Sequence, residues 1–191
     1  MKKNIKKGIA RFCIGFLVLI GVLFFCRGCI YQTAVEYRDA GGRKVYKVKD
    51  EGLEKYIKAS IPDQKPTTID EIVDLSLRIT NNTLSFSFEA KEKDPKNLYP
   101  QGQANCVGYA AFNAAVANYL LERYKMKDWS AKPVKGKLYL FGGEMTSKSK
   151  DSFFNDHDFV IFSNKETKEK IYVDPTVYDY LKIDRVSKYV K

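Results

Sequence analysis

The amino-acid sequence predicts an α+β fold in which helices come first along the chain and an antiparallel sheet follows. A capping pattern, Thr68 followed by Glu71, and a long alanine-rich stretch at 105–124 predict two helices. Three β-favouring segments, KLYLF, HDFVIF and KIYVD, come after them. Helices followed by strands are typical of α+β domains, and 191 residues with 45% hydrophobic side chains suffice for one buried core and an appendage.

The N-terminal segment is expected to anchor the chain in a membrane. Residues 1–34 hold six basic side chains and no acidic one, and residues 12–26, FCIGFLVLIGVLFFC, form an apolar run. Fifteen residues are fewer than the ~20 of an average span, but Arg11 and Arg27 can extend their side chains to the interfaces. The positive-inside rule then places residues from about 35 onward outside. We therefore expect one transmembrane helix in the cytoplasmic membrane, with the C-terminal domain extracytoplasmic.

A cleaved signal peptide and a lipoprotein signal are the alternatives for this segment. No small-x-small cleavage site stands out in it. Cys26 follows two phenylalanines, and Cys29 follows Arg27 and Gly28, which are poor contexts for lipid attachment. An uncleaved anchor is therefore the preferred interpretation.

The charge of the chain does not predict a nucleic-acid partner. The formal net charge is +10, but beyond residue 34 there are 27 basic and 23 acidic residues, a net charge of +4. The lysines alternate with acids, as in KEKDPK, which is typical of solvated loops. With one histidine, His157, and no ligand pair at zinc-finger spacing, we expect no metal and no cofactor.

Residues 35–66 are predicted to be a juxtamembrane unit, separate from a domain at 67–191. Two β-favouring runs around Gly41 and Gly42 indicate a hairpin, and EGLEKYIKAS indicates a short helix that Pro62 ends. After the capped helix at Thr68, TLSFSFEA alternates and predicts a strand or an extended connection.

Cys106 is the first candidate for chemistry. Asn105 is a favoured N-cap residue, so Cys106 falls in the first turn of the alanine-rich helix, where the helix dipole stabilises a thiolate. The other three cysteines lie in or beside the apolar run, so Cys106 has no partner in the folded part. In an oxidising compartment an unpaired thiol is a liability, so we expect Cys106 either to be buried or to have a chemical role. The alternative is a small buried hydrophobe.

His157 and Asp174 are the candidates for a base and its orienting acceptor. His157 begins the strand HDFVIF, and Asp174 ends KIYVD. A hairpin with a tight turn at Lys165 and Glu166 would place 157 opposite 174, and 160 opposite 171, with Cβ atoms about 5 Å apart. A register slip of one residue would send the two side chains to opposite faces.

These segments carry a resemblance to a known family. NCVGYAAF resembles the nucleophile motif of transglutaminase-like proteins, and HDFVIF and KIYVDPT resemble the histidine and aspartate strands that follow it in the same order. The resemblance spans about residues 98–180. It implies a papain-like arrangement in which the nucleophile helix packs on an antiparallel sheet.

The resemblance also implies roles. Cys106 would attack a carbonyl group, His157 would transfer the proton, and Asp174 would orient the imidazole. The oxyanion would be held by the backbone amide of Cys106 and by a side chain, Gln103 in preference to Gln101. Where the family has a small residue after the histidine, this chain has Asp158, and its carboxylate is expected to raise the pKa of His157.

The function these roles imply is a membrane-anchored cysteine hydrolase, a peptidase or amidase with a thioester intermediate and a protein or peptide substrate. An acyl-transferring protein crosslinker would use the same intermediate. An inactive binding or scaffold module with the same fold is the alternative from another class.

Overall fold

A computed structural model describes residues 2–145 and 157–187, with the backbone alone for residues 2–11. The helices in this part of the chain are α1 (Lys2–Phe25), α2 (Arg27–Ala34), α3 (Glu51–Ala59), α4 (Ile69–Thr83), α5 (Pro95–Gln101), α6 (Cys106–Arg123) and α7 (Pro175–Leu181). The strands are β1 (Val35–Gly42), β2 (Ser85–Phe86), β3 (Gln103–Ala104), β4 (Trp129–Leu140), β5 (Gly143–Glu144), β6 (His157–Asn164) and β7 (Lys170–Val173).

The predicted α+β class is confirmed. The main sheet has the strand order β1-β4-β6-β7, with β5 paired to β4, and its pairs are antiparallel. The two short strands β2 and β3 pair in parallel apart from it. Helix α6 packs on β4 and β6 on one side and on α4 on the other, so the alanine-rich helix lies in the centre of the larger apolar core.

Local signals account for where the predicted helices begin. Thr68 and Glu71 form the expected capping box at the start of α4. Asn105 caps α6 with its side chain, as predicted, and Asp50 caps the short helix α3. These caps satisfy backbone amides that have no partner inside a helix.

The prediction of a hairpin at Gly41 and Gly42 is wrong. Residues 35–42 form one strand, β1, which pairs antiparallel with β4 over Val35↔Leu140 to Gly42↔Val134. The chain around Gly41 bends in a register shift, and Gly41 has φ +140°, a conformation that favours glycine. The second β-favouring run has no strand of its own, because the partner of β1 is supplied by the distant and longer β4.

The predicted boundary at residue 67 therefore divides a single sheet. β1 belongs to the same sheet as β4, β6 and β7. Its Tyr37 is fully buried in a second apolar cluster, together with Leu138 of β4 and Phe159 of β6.

The N-terminal helices meet at an angle. No single helix in the described ranges is both long and apolar enough to cross a membrane. Phe12–Phe25 and Arg27–Ala34, bent by 61° relative to each other, reach that length and apolarity only as a pair.

Candidate active site

Cys106 occupies the first position of α6. The side-chain oxygen of Asn105 accepts hydrogen bonds from the backbone N–H of Val107 at 3.0 Å and of Gly108 at 3.2 Å. The cysteine is buried, with 6% of its surface exposed. The thiol therefore lies at the positive end of the helix dipole, where negative charge is favoured.

The residues after the cysteine fix the first turn of α6 against its neighbours. A Cβ atom on Gly108 would lie 2.8 Å from Cβ of Ala104 and 3.0 Å from the carbonyl oxygen of Glu92, so this close approach requires glycine. The hydroxyl of Tyr109 lies 2.8 Å from the carbonyl oxygen of Leu84 and 2.9 Å from a carboxylate oxygen of Asp179. The helix that carries Cys106 is thereby tied to the end of α4 and to α7.

The register that brings His157 and Asp174 together differs from the predicted one by two residues. Val160 pairs with Val173, where the tight turn had placed residue 171. The loop between β6 and β7 is wider than a tight turn. The side-chain oxygen of Asn164 accepts hydrogen bonds from the backbone N–H of Glu166 at 2.8 Å and of Thr167 at 3.0 Å, which stabilises this wider loop. An even shift preserves the face of the sheet, so the two side chains still meet.

His157 and Asp174 form a buried pair. The Nε2 atom of His157 is hydrogen-bonded to the Oδ2 atom of Asp174, and the two side chains are 2% and 0% exposed. The side chain of Cys106 lies close enough to the imidazole to contribute to the raised pKa of His157. Since Nε2 is engaged by the carboxylate, Nδ1 is the ring nitrogen that can exchange a proton with the thiol. The structure thus brings Cys106, His157 and Asp174 into one contiguous group.

Four hydrogen bonds converge on the carboxylate of Asp174. Its Oδ1 atom accepts hydrogen bonds from the backbone N–H of Thr176 at 2.9 Å and of Val177 at 3.1 Å, and so caps α7. Its Oδ2 atom accepts the hydroxyl of Tyr37 at 2.8 Å as well as His157. Burial opposes ionisation, but the charge of His157 and these hydrogen bonds outweigh it and lower the pKa of Asp174.

The charge of this carboxylate also sets the protonation state of the imidazole. Burial favours neutral His157, but the charge of Asp174, its hydrogen bond and the contact with Cys106 together raise the pKa of His157 to about 10. At neutral pH the imidazole is therefore positively charged beside the thiol. A cationic imidazole next to a cysteine is the arrangement that a thiol nucleophile requires.

The expected influence of Asp158 on His157 is not what the structure shows. Neighbouring strand residues point to opposite faces, and the buried Asp158 is bound by Arg43 through two hydrogen bonds of 2.8 Å each. The groups that raise the pKa of His157 are Asp174 and Cys106. Arg43 itself comes from the segment where the hairpin was expected.

Two tyrosines of this site were missed by sequence reasoning. Tyr37 of β1 contacts Asp174, and its ring packs at 5.1 Å from the ring of Phe159 and 6.2 Å from that of His157. Tyr31 of α2 contacts the hydroxyl of Tyr37 at 2.7 Å. The spacing of the two tyrosines in the sequence could not have placed them near Asp174, because that position depends on the long-range pairing of β1 with β4.

The two candidate oxyanion donors lie on the chain just before Cys106. Gln101 ends α5, and Gln103 lies in β3 opposite Ser85. Both side chains are exposed, whereas the neighbouring Ala104 is buried. In the parts of the chain that the structure describes, no three His, Cys, Asp or Glu side chains are grouped so as to hold a metal ion.

Comparison with known proteins adds no further identification. No protein-family model matches this chain, and no curated protein matches it. The geometry of the site is therefore the basis on which a function can be assigned.

Proposed function

We propose that the protein is a cysteine hydrolase, a peptidase or amidase of the transglutaminase-like type, which uses Cys106, His157 and Asp174 as a catalytic triad. The observation that carries the proposal is the buried His157–Asp174 pair in contact with a thiol at a helix N-terminus. A buried carboxylate that holds an imidazole in its charged form next to a cysteine is the arrangement that activates a thiol nucleophile.

The first half of the reaction forms a thioester. The Cys106 thiolate attacks the carbonyl carbon of the substrate amide, and the oxyanion accepts hydrogen bonds from the backbone amide of Cys106 and from Gln103 or Gln101. The tetrahedral intermediate collapses as the C–N bond breaks, and His157 donates its Nδ1 proton to the departing amine. Asp174 keeps the imidazole oriented through Nε2 in both protonation states.

The second half releases the acid. Neutral His157 takes a proton from water, the hydroxide attacks the thioester carbonyl, and the C–S bond breaks to return the Cys106 thiolate beside the imidazolium. Attack by an amine in place of water would give acyl transfer and a new amide bond. The two outcomes are distinguished by whether an added primary amine enters the product.

We also propose that the enzyme is anchored in the cytoplasmic membrane and acts outside it. The side chains of α1 from Phe12 to Phe25 are mostly exposed and apolar, and six basic and no acidic residues lie in residues 1–34. A reporter enzyme that works only outside the cytoplasm, fused to the C-terminus, should be active. Activity of a cytoplasmic reporter at the same position would overturn this topology.

Alkylation of Cys106 tests the triad. In the full chain, with the other three cysteines replaced by serine, the rate of reaction with iodoacetamide should be high below neutral pH. His157→Ala should abolish that low-pH reactivity, and Asp174→Asn should weaken it. Asp128→Asn, which removes an exposed carboxylate bound to Lys165, is the matched control and should change nothing. If neither His157→Ala nor Asp174→Asn alters the profile, the chain is an inert binding module.

A further inference from the structure

We propose that α2 contributes to the active site. Its Tyr31 is a positioning residue, which acts through Tyr37 on Asp174. The triad then reaches its full reactivity only while α2 is docked on the domain. This inference rests on the proposed function and adds to it the segment that joins the domain to α1.

Three hydrogen bonds dock α2 onto the C-terminal part of the chain. Arg27 donates through Nε to the carbonyl oxygen of Leu181 at 2.8 Å and through Nη2 to that of Lys182 at 3.2 Å. Gln32 donates to the carbonyl oxygen of Arg185 at 2.8 Å. Carbonyl groups at the end of a helix lack intrahelical donors, and a cation there is favourable. Arg27 therefore binds the end of α7, the helix that Asp174 begins.

A chain of hydroxyl groups connects α2 to the other end of α7. Tyr31 lies 2.7 Å from the hydroxyl of Tyr37, and Tyr37 lies 2.8 Å from Oδ2 of Asp174. Burial and the charge of Asp174 raise the pKa of Tyr37 well above its ordinary value, so its hydroxyl keeps its proton.

The direction of these hydrogen bonds follows from the number of protons. An ionised carboxylate only accepts, so Tyr37 donates its single proton to Asp174. The oxygen of Tyr37 is then the acceptor for the hydroxyl proton of Tyr31. Each donor polarises the next one along the chain, and the series ends on the same oxygen that holds His157.

The effect on the site is one of orientation. Backbone amides hold Oδ1 of Asp174, but Oδ2 is held by Tyr37 and His157 alone among the contacts described. Without Tyr37 the imidazole would be the only group that fixes Oδ2, and the orientation of the carboxylate would depend on the backbone bonds to Oδ1 and on the imidazole that it has to orient. Tyr31 fixes Tyr37, and the docking of α2 fixes Tyr31.

The experiment uses the full chain in detergent micelles, with Cys106 as its only cysteine. The rate constant of alkylation by iodoacetamide is measured as a function of pH for Tyr31→Phe, Tyr37→Phe and Arg27→Gln. Tyr119→Phe is the matched control, because its hydroxyl also contacts a carboxylate, that of Glu54 at 3.1 Å, away from the triad. Fluorescence of Trp129 confirms that each variant is folded.

Tyr37→Phe should lower the rate constant at neutral pH about tenfold, and Tyr31→Phe about threefold, since each removes a hydrogen bond in a buried charged network. Arg27→Gln should act in the same direction, and Tyr119→Phe should match the parent. In an Asp174→Asn background the three changes should have no further effect, because their influence passes through that carboxylate.

The inference is overturned if the tyrosine variants react like the parent, or if their effects persist unchanged in the Asp174→Asn background. Its failure is separate from that of the proposed function. An alkylation profile that depends on His157 but not on Tyr31 or Tyr37 removes only this inference, whereas a profile indifferent to His157 removes the triad itself.

Discussion

The ion pair between Arg43 and Asp158 allows a quantitative test of the fold around the candidate active site. The Asp158 side chain is fully buried, and Arg43 is 32% exposed and binds it with two hydrogen bonds of 2.8 Å. Arg43→Met would leave a buried carboxylate without its cationic partner. Removing one partner of a buried pair lowers the free energy of unfolding by about 3 to 5 kcal/mol. For a chain of this length, that is a fall in melting temperature of about 6 to 20 °C.

The assay follows thermal unfolding of the full chain in micelles by the fluorescence of Trp129, the single tryptophan, which begins β4 beside β6. Arg38→Met serves as the control, because Arg38 forms a partly exposed pair with Glu36 in β1, and loss of that pair should have a far smaller effect. The double variant Arg43→Met with Asp158→Asn should recover much of the loss, since the uncompensated charge is gone. A loss of less than about 1 kcal/mol in the free energy of unfolding of Arg43→Met, or a double variant no more stable than the single one, would refute this role of the ion pair.

Three further outcomes are expected. Gly136→Ala should destabilise the fold by about 1 to 3 kcal/mol in chemical denaturation, because the new Cβ atom would lie far closer to a ring carbon of the buried Phe159 than van der Waals contact allows. Unchanged stability would contradict that packing. The pKa of His157 is raised to about 10 from 6.5, so its pairing stabilises the fold fully below pH 6.5 and loses that effect as the pH rises through 10. The gap in unfolding free energy between the parent and His157→Gln should accordingly narrow between about pH 6 and pH 10, and a gap that widens would show the sign to be wrong. Thr68→Ala should destabilise the fold by about 1 kcal/mol, because α4 loses its N-cap. Chemical denaturation should show a lower midpoint, and an unchanged midpoint would contradict this role of Thr68.

The parts of the fold that could be predicted from the sequence are those set by neighbouring residues. The caps at Thr68 and Asn105 were readable because a cap and the helix it begins lie within four residues of each other. The helices α4 and α6, and the strands β4, β6 and β7 after them, followed from periodicity in the same way, whereas β1 precedes these helices and still belongs to the sheet.

The errors concern contacts between distant segments. The partner of β1 lies about a hundred residues away in β4, so the sequence around Gly41 could not reveal it and a local hairpin was the nearest solution. The loop after Asn164 shifted the β6–β7 register by two residues, since the turn type depends on a side-chain hydrogen bond that the composition of the loop does not specify. Tyr37 was missed for the same reason as the pairing of β1.

The two oxygens of the Asp174 carboxylate have different roles, since Oδ1 caps α7 and Oδ2 binds His157. This double role constrains how the site could change in evolution. Enzymes often gain stability when a catalytic group is lost, because such groups trade stability for activity. Loss of Asp174 would do the opposite, since it removes a helix cap and leaves Tyr37 and a charged imidazole without their acceptor. Cys106 is small, and its replacement by serine or alanine would disturb far less. If the proposed catalysis were lost in a related protein, the thiol would be expected to change first while the histidine and aspartate remained, so those two residues alone would not indicate an active enzyme.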